Sequence, residues 1–184
     1  MRALFLTGLL VAAASVGATA QTTVPTTLEP AATLNSLTIT NVGTFTGQSR
    51  SATAVAGQQS PTRTVGTVTD WRFVSDSTDV DGKVGTQFGI EFRIDGAPAG
   101  AAVTLYLVLT FPPEGVRNPN TGETLHSATI ALPNMKIGAL CVAGYGFDNG
   151  WEIVPGEWTE KITYRDQTLV ERTFKVSKAN DIAE

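Results

Sequence analysis

Phe88, Ile90, Phe92 and Ile94 alternate with Gln87, Gly89, Glu91 and Arg93. A period of two predicts a strand with one face buried and the other turned to solvent. The same period recurs along the chain. Leu37 and Ile39 alternate with Ser36, Thr38 and Thr40, and Gly43 can bend that strand before Phe45. Val65, Thr67, Thr69, Trp71 and Phe73 share a face, as do Val103, Leu105, Leu107, Leu109 and Phe111. Ala128, Ile130 and Leu132 predict a strand ended by Pro133, and another runs from about Leu140 to Phe147.

Turn chemistry separates these runs. Asp76–Gly82 reads as a polar turn, and Asp95–Gly100 as a break. Pro112-Pro113-Glu114-Gly115 stops a strand because proline cannot donate to the ladder. Arg117–Glu123 reads as loop, and Gly47–Thr62, small and polar throughout, as a long mobile loop. No stretch carries a sustained helical period with caps, and there is no internal repeat. Seven or eight short strands between Gly/Pro turns predict an all-β, antiparallel β-sandwich, immunoglobulin-like in general form. The Cys–Trp–Cys pattern of true immunoglobulin domains is absent.

The last two runs allow a finer reading. Trp158, Ile162 and Tyr164 share one face, and Val170, Phe174 and Val176 another. Both sets face the same way only with an odd loop, Asp166-Gln167-Thr168, pairing Tyr164 with Val170 and Trp158 with Val176. Glu160 and Arg172 then intrude on the apolar face, diagonal to each other, and are expected to meet as an ion pair near the rim. The alternative is a bulge that sends each to solvent.

Composition adds an address. Met1-Arg2, an apolar run from Ala3 to Val16 and Ala18-Thr19-Ala20 before Gln21 form a secretory signal pattern. The run falls short of the roughly 20 residues a membrane span needs. Export to the periplasm, or secretion, is therefore expected, with no membrane span after cleavage. Cleavage leaves 184 − 20 = 164 residues, enough for one core. The expected plan is a signal peptide at 1–20, a flexible Thr/Pro/Ala-rich leader at 21–34, one domain at 35–178 and a tail at 179–184. Loss of Arg2 leaves 12 basic against 17 acidic residues, a net charge of −5. Such an acidic chain repels a phosphate backbone, which argues against nucleic acid as a partner. Cys141 is the only cysteine, so a disulfide scaffold is excluded. Its apolar flanks predict a buried small hydrophobe rather than a reactive thiol.

Candidate chemistry is sparse. Asp76, Asp79 and Asp81 lie before Gly82, but Phe88 stands where an EF-hand requires a bidentate Glu. Only a looser calcium site remains open there. Gly144-Tyr-Gly146-Phe-Asp-Asn-Gly150 fits no dinucleotide loop, since its spacing is one residue too long and Pro155 follows where a helix must start. His126, the single histidine, has no nucleophile signature near it and reads as a rim residue. One His and one Cys support no zinc site, and no cofactor is expected. Carboxylate pairs for hydrolysis are too many to single out. Aromatic residues offer the remaining sites: parity places Trp158 and Trp71 inward, whereas Trp151, Tyr145 and Tyr106 are candidates for ligand contact.

Several blocks together resemble the DUF3859 domain family, small exported bacterial proteins of unknown function. They are Val84-Gly-Thr-Gln-Phe-Gly-Ile-Glu-Phe92, Asp95-Gly-Ala-Pro-Ala-Gly100, Val103–Phe111 with Pro112, Gly144-Tyr-Gly-Phe147, Glu152-Ile-Val-Pro-Gly-Glu-Trp-Thr159 and Leu169–Val176. The resemblance covers about Leu37 to Val176. It implies a β-sandwich and offers no catalytic residue, because the shared positions are Gly, Pro and aromatic, suited to turns and core. The expectation is a non-enzymatic interaction module with an unknown protein or glycan of the cell envelope as its partner. The alternatives are a carbohydrate-binding module using exposed aromatics and a hydrolase built on carboxylates with His126.

Overall fold

The computed structural model describes residues 31–53 and 60–178. The signal pattern, residues 21–30 of the leader and the tail at 179–184 lie outside the described residues. In chain order the strands are β1 (Thr33–Thr53), β2 (Thr64–Ser75), β3 (Asp79–Gly82), β4 (Gln87–Ala97), β5 (Ala102–Thr110), β6 (Val116–Arg117), β7 (Thr124–Leu125), β8 (Ser127–Lys136), β9 (Leu140–Gly146), β10 (Gly156–Tyr164) and β11 (Gln167–Lys178). A single 3-10 turn, Gly150–Glu152, lies between β9 and β10. One sheet runs β2-β1-β4-β9, a second runs β3-β11-β10-β5-β8, and β6 and β7 form a short ribbon. The result is a β-sandwich whose ladders are antiparallel except for β3 on β11.

Alternation explains the core. Phe88, Ile90, Phe92 and Ile94 of β4 are fully buried, facing Leu105, Leu107 and Leu109 of β5 and Trp158 and Ile162 of β10. Each such side chain contributes about 1.5–3 kcal/mol by leaving water. One end of the core is aromatic: the Phe88 ring lies 5.5 Å from Phe147, 5.1 Å from Phe174 and edge-on to Trp158 at 6.0 Å. Gly89 and Gly144 are partners on the outer face of the first sheet, and a Cβ on Gly89 would lie 2.2 Å from the Ala143 carbonyl. No side chain fits there, and the surface stays low.

Several expectations change. β1 begins at Thr33 and continues through Thr53, so Thr33 and Leu34 are strand rather than leader, and Gly47–Thr53 is strand rather than mobile loop. Those polar residues carry no alternation because the backbone ladder to β2 defines them. The face expected of Val65, Thr67, Thr69, Trp71 and Phe73 is interrupted. Thr67 and Thr69 are exposed, Val65, Val68, Trp71 and Phe73 are half-buried, and Asp70 adopts a φ of 53° beside the register shift at Thr46/Gln48. Trp71 is therefore not core. β4 runs through Asp95 to Ala97, paired with Thr33–Ser36. Pro133 does not end β8: as an edge strand β8 needs no donor on its open side, and a register shift opposite Val103/Leu105 absorbs Pro133 and Asn134. Asp79–Gly82, expected as turn, pairs with β11.

The β10–β11 hairpin has the expected parity in a different register. Trp158 pairs with Phe174 and Ile162 with Val170. Arg165 and Asp166, at φ 47° and 63°, form a two-residue turn, and a register shift after Ile162 restores the face. Glu160 and Arg172 are direct partners yet form no ion pair. Arg172 extends to solvent and donates to the Glu171 carbonyl at 2.7 Å. Glu160 is too short to follow and is wholly buried.

Candidate binding cleft

β1 belongs to two ladders. It pairs with β4 from Thr33 to Phe45 and with β2 from Thr44 to Thr53. Its second half and β2 therefore form an arm beyond the sheet edge. Side chains tie that arm back onto the sandwich. Gln87 Nε2 donates to Ser49 Oγ at 2.8 Å, and Asn118 Nδ2 to the Pro61 carbonyl at 2.8 Å. Trp71 Nε1 donates to Glu91 Oε1 at 2.8 Å. The other oxygen of Glu91 accepts from Thr40 Oγ1 at 2.7 Å and Asn41 Nδ2 at 2.5 Å. Burial pushes the Glu91 pKa up, but the three donors outweigh it and hold the carboxyl below its ordinary value.

Between the arm and the sandwich lies a cleft of about 640 Å³. Every residue of β9 from Leu140 to Gly146 borders it, as do Thr64–Val68 of β2 and Ile130–Pro133 of β8. Consecutive residues of a strand line a cavity when the strand's edge, not one face, is turned to it. Each of the three strands ends its sheet, so each pairs on one side alone. The deeper wall is apolar, with Leu107, Ile130, Leu132 and Cys141. Burial raises the Cys141 thiol pKa.

One end of the cleft is acidic. Among the described residues, Asp148 and Glu152 are the only acidic or basic ones that line it. Glu152 is buried and fully partnered: Tyr145 Oη donates to Oε2 at 2.6 Å, and the Asn149 backbone N–H and Nδ2 donate to Oε1 at 2.7 and 2.8 Å. This closes a capping box over the 3-10 turn. Burial nevertheless dominates and raises the Glu152 pKa, against the pull of its donors. The Tyr145 hydroxyl is pushed well above its usual value by burial and by Glu152.

The three candidate aromatics do not share a surface. Tyr145 is buried, its ring 5.1 Å from Trp158. Trp151 is half-buried against the core on the 3-10 turn, and Tyr106 is 41 % exposed on the outer face of the second sheet, outside the cleft. The tight Gly-x-Gly run of β9 carries Tyr145 inward by parity with Ala143 and Phe147. Asp79 and Asp81 border a shallow depression with Lys83, whose Nζ is 3.7 Å from Asp81, and Asp76 does not border it. Among the described residues no three His, Cys, Asp or Glu side chains converge as a metal group. His126 is exposed just before β8, and its carbonyl accepts from the Phe111 N–H.

A family model for a domain of unknown function, DUF3859, matches residues 36–176. The chain belongs to this family. A crystal structure of an immunoglobulin-like protein from Pseudomonas aeruginosa is similar at 22 % identity and a TM-score of 0.49, covering 78 % of this chain and 98 % of that one. No curated protein matches. Glu91, Trp71 and Glu152, which organise the cleft of this DUF3859 domain, carry no sequence signal as a group. Glu91 occupies a solvent position of an alternating strand, and its donor Trp71 lies 20 residues away.

Proposed function

We propose that the chain is a non-enzymatic binding module, exported to the bacterial envelope, that takes its partner in the cleft between the β1–β2 arm and the β8 and β9 edges. The observation that carries this reading is the cleft itself: concave, apolar within and bordered by strand edges. The displaced carboxyls support a binding role over an acid–base one. Both oxygens of Glu91 and both of Glu152 are taken by internal donors, and Glu160 is sealed in the core. The signal pattern before Gln21 supports export.

The test compares capture from an envelope extract by immobilised residues 21–184, by Leu140→Arg and by Tyr106→Ala. Leu140 is 39 % exposed on the cleft rim, so an arginine is accommodated without disturbing the core. A saturable species lost with Leu140→Arg and kept with Tyr106→Ala is the expected result. Equal capture by Leu140→Arg would remove the cleft from the reading. The second reading, glycan binding, is favoured by the exposed Tyr106 beside Thr163 and Ala131, and loss with Tyr106→Ala alone would support it.

A further inference from the structure

We infer that the ligand of the cleft is an extended peptide segment that adds to β9 as a further strand, with its amino-terminal end or a Lys or Arg side chain at Asp148. The inference rests on the cleft reading above and specifies its ligand. Two observations carry it, the free backbone of β9 and the charge at one end of the cleft.

The β9 ladder can be followed group by group. The Phe147 N–H donates to the Thr86 carbonyl, just before β4. Bonded and non-bonded pairs alternate in an antiparallel ladder, and the register runs Phe88↔Tyr145, Ile90↔Ala143 and Phe92↔Cys141. Tyr145, Ala143 and Cys141 therefore direct their N–H and C=O groups to β4. Leu140, Val142, Gly144 and Gly146 direct theirs outward, along the cleft. β9 ends its sheet, so these groups have no strand partner among the described residues.

Edges of this kind are commonly protected by charge, proline or a bulge. β8 has Pro133 and the bulge at Asn134, and β3 has Asp79 and Asp81. β9, Leu-Cys-Val-Ala-Gly-Tyr-Gly, has none of these, and its register with β4 is unbroken. Backbone donors and acceptors at strand spacing are matched by another backbone, as in recognition by strand addition. The flanking apolar wall takes alternate side chains of the incoming strand. Among the described residues no Lys or Arg lines the cleft, and Asp148 lies just past Gly146. A strand antiparallel to β9 brings its amino-terminal end to that carboxylate.

The experiment pans residues 21–184 against random decapeptides displayed on phage. Enriched sequences are re-synthesised in three forms: free, with alternate backbone nitrogens methylated, and acetylated at the amino end with basic residues replaced by norleucine. Amide exchange of the chain is read with and without peptide. Expected are slowed exchange at Leu140, Val142, Gly144 and Gly146, and a loss of about tenfold or more in affinity on methylation. The uncharged form should bind more weakly, with a difference that shrinks in salt. Val142→Pro removes one outward donor and should weaken the peptide, and thermal unfolding of that variant shows whether it folds. The methylated peptide tests the same bond in the unaltered chain. Peptides that bind without protecting β9, or that tolerate methylation, overturn the inference, as does selection of none. The cleft reading would still stand in those cases if Leu140→Arg abolishes envelope capture. Self-association that protects β9 and is lost in Val142→Pro would also overturn it, by placing a second copy on the edge.

Discussion

Glu91 and Glu160 both occupy mid-strand positions, one in each sheet, and both are buried. Their surroundings differ in one respect. Glu91 lies on an outer face under the arm and accepts from Trp71, Thr40 and Asn41. Glu160 lies inside the sandwich, and neither of its oxygens has a partner. Its donors hold Glu91 below the ordinary carboxyl pKa and favour its charged form, whereas burial drives Glu160 well above it and favours its neutral form. Donors, not depth alone, decide which form a buried acid takes. The first residue fastens two strands and a tryptophan; the second weakens the core that contains it.

Removing the fastened acid should have the largest effect. Glu91→Ala leaves three donors without their acceptor and frees the arm, and should cost roughly 2–4 kcal/mol in chemical denaturation. A cost below about 1 kcal/mol would show that Glu91 does not anchor the arm. The sign with pH follows from the lowered folded pKa. The contribution of Glu91 is present above the unfolded value of about 4.3 and is lost as pH falls through the folded value. The wild-type advantage over Glu91→Ala should therefore shrink in acid.

The unfastened acid should give the opposite result. Glu160→Met replaces an unpartnered carboxyl with an apolar chain of similar length and should stabilise by about 1–3 kcal/mol. The raised folded pKa means that the native state keeps a proton the unfolded chain releases. Wild-type stability is then whole below about pH 4.3 and declines as pH rises toward the folded value, by up to about 1.4 kcal/mol per unit. Denaturation at several pH values should show this slope missing from Glu160→Met. A slope that survives the substitution would assign it elsewhere.

The contrast also shows what the sequence can reveal. The inward faces of β4 and β5 are legible because burial on one side writes a period of two into the residues. Even parity on β10 and β11 is legible for the same reason, but their register depends on a turn whose central residues, Arg165 and Asp166, carry no glycine. β3 is illegible because Asp-Val-Asp-Gly has turn composition and becomes strand only by lying beside β11. Gly47–Thr53 is illegible because the strand is set by its backbone pairing with β2, and Gln48, Ser49 and Arg50 are exposed. The cleft is a product of which edges the topology leaves unpaired, and no local pattern encodes that. Glu160 is visible in the sequence as an intruder on an apolar face, which points to a rim position. Only the three-dimensional register shows that Arg172 reaches solvent and Glu160 does not.

Glu152 stands between the two cases, fully partnered yet raised by burial. Tyr145→Phe removes one of its donors and should cost about 1–2 kcal/mol. The Tyr145 hydroxyl favours the charged carboxylate, so its loss raises the folded pKa of Glu152 further. The unfolded chain is the same in both, so the cost should be level in acid and grow as pH rises through the raised folded pKa of wild-type Glu152, where only the variant still holds the proton. A cost independent of pH would mean that the hydroxyl serves packing rather than the charge.

The smallest effect tests the same rule at the surface. Glu171 lies opposite Lys161 on the outer face of the second sheet, with Nζ and Oε2 3.4 Å apart. Glu171 is exposed and Lys161 partly so, so water already solvates each charge and the pair gains little by meeting. Glu171→Ala should change stability by about 0.5 kcal/mol or less, and the difference should vanish in high salt. Glu160 is only one residue from Lys161 along β10 but faces inward, where neither water nor a donor reaches it. A larger cost for Glu171→Ala than the gain for Glu160→Met would invert the comparison, because it would place more energy in a solvated ion pair than in a bare buried acid.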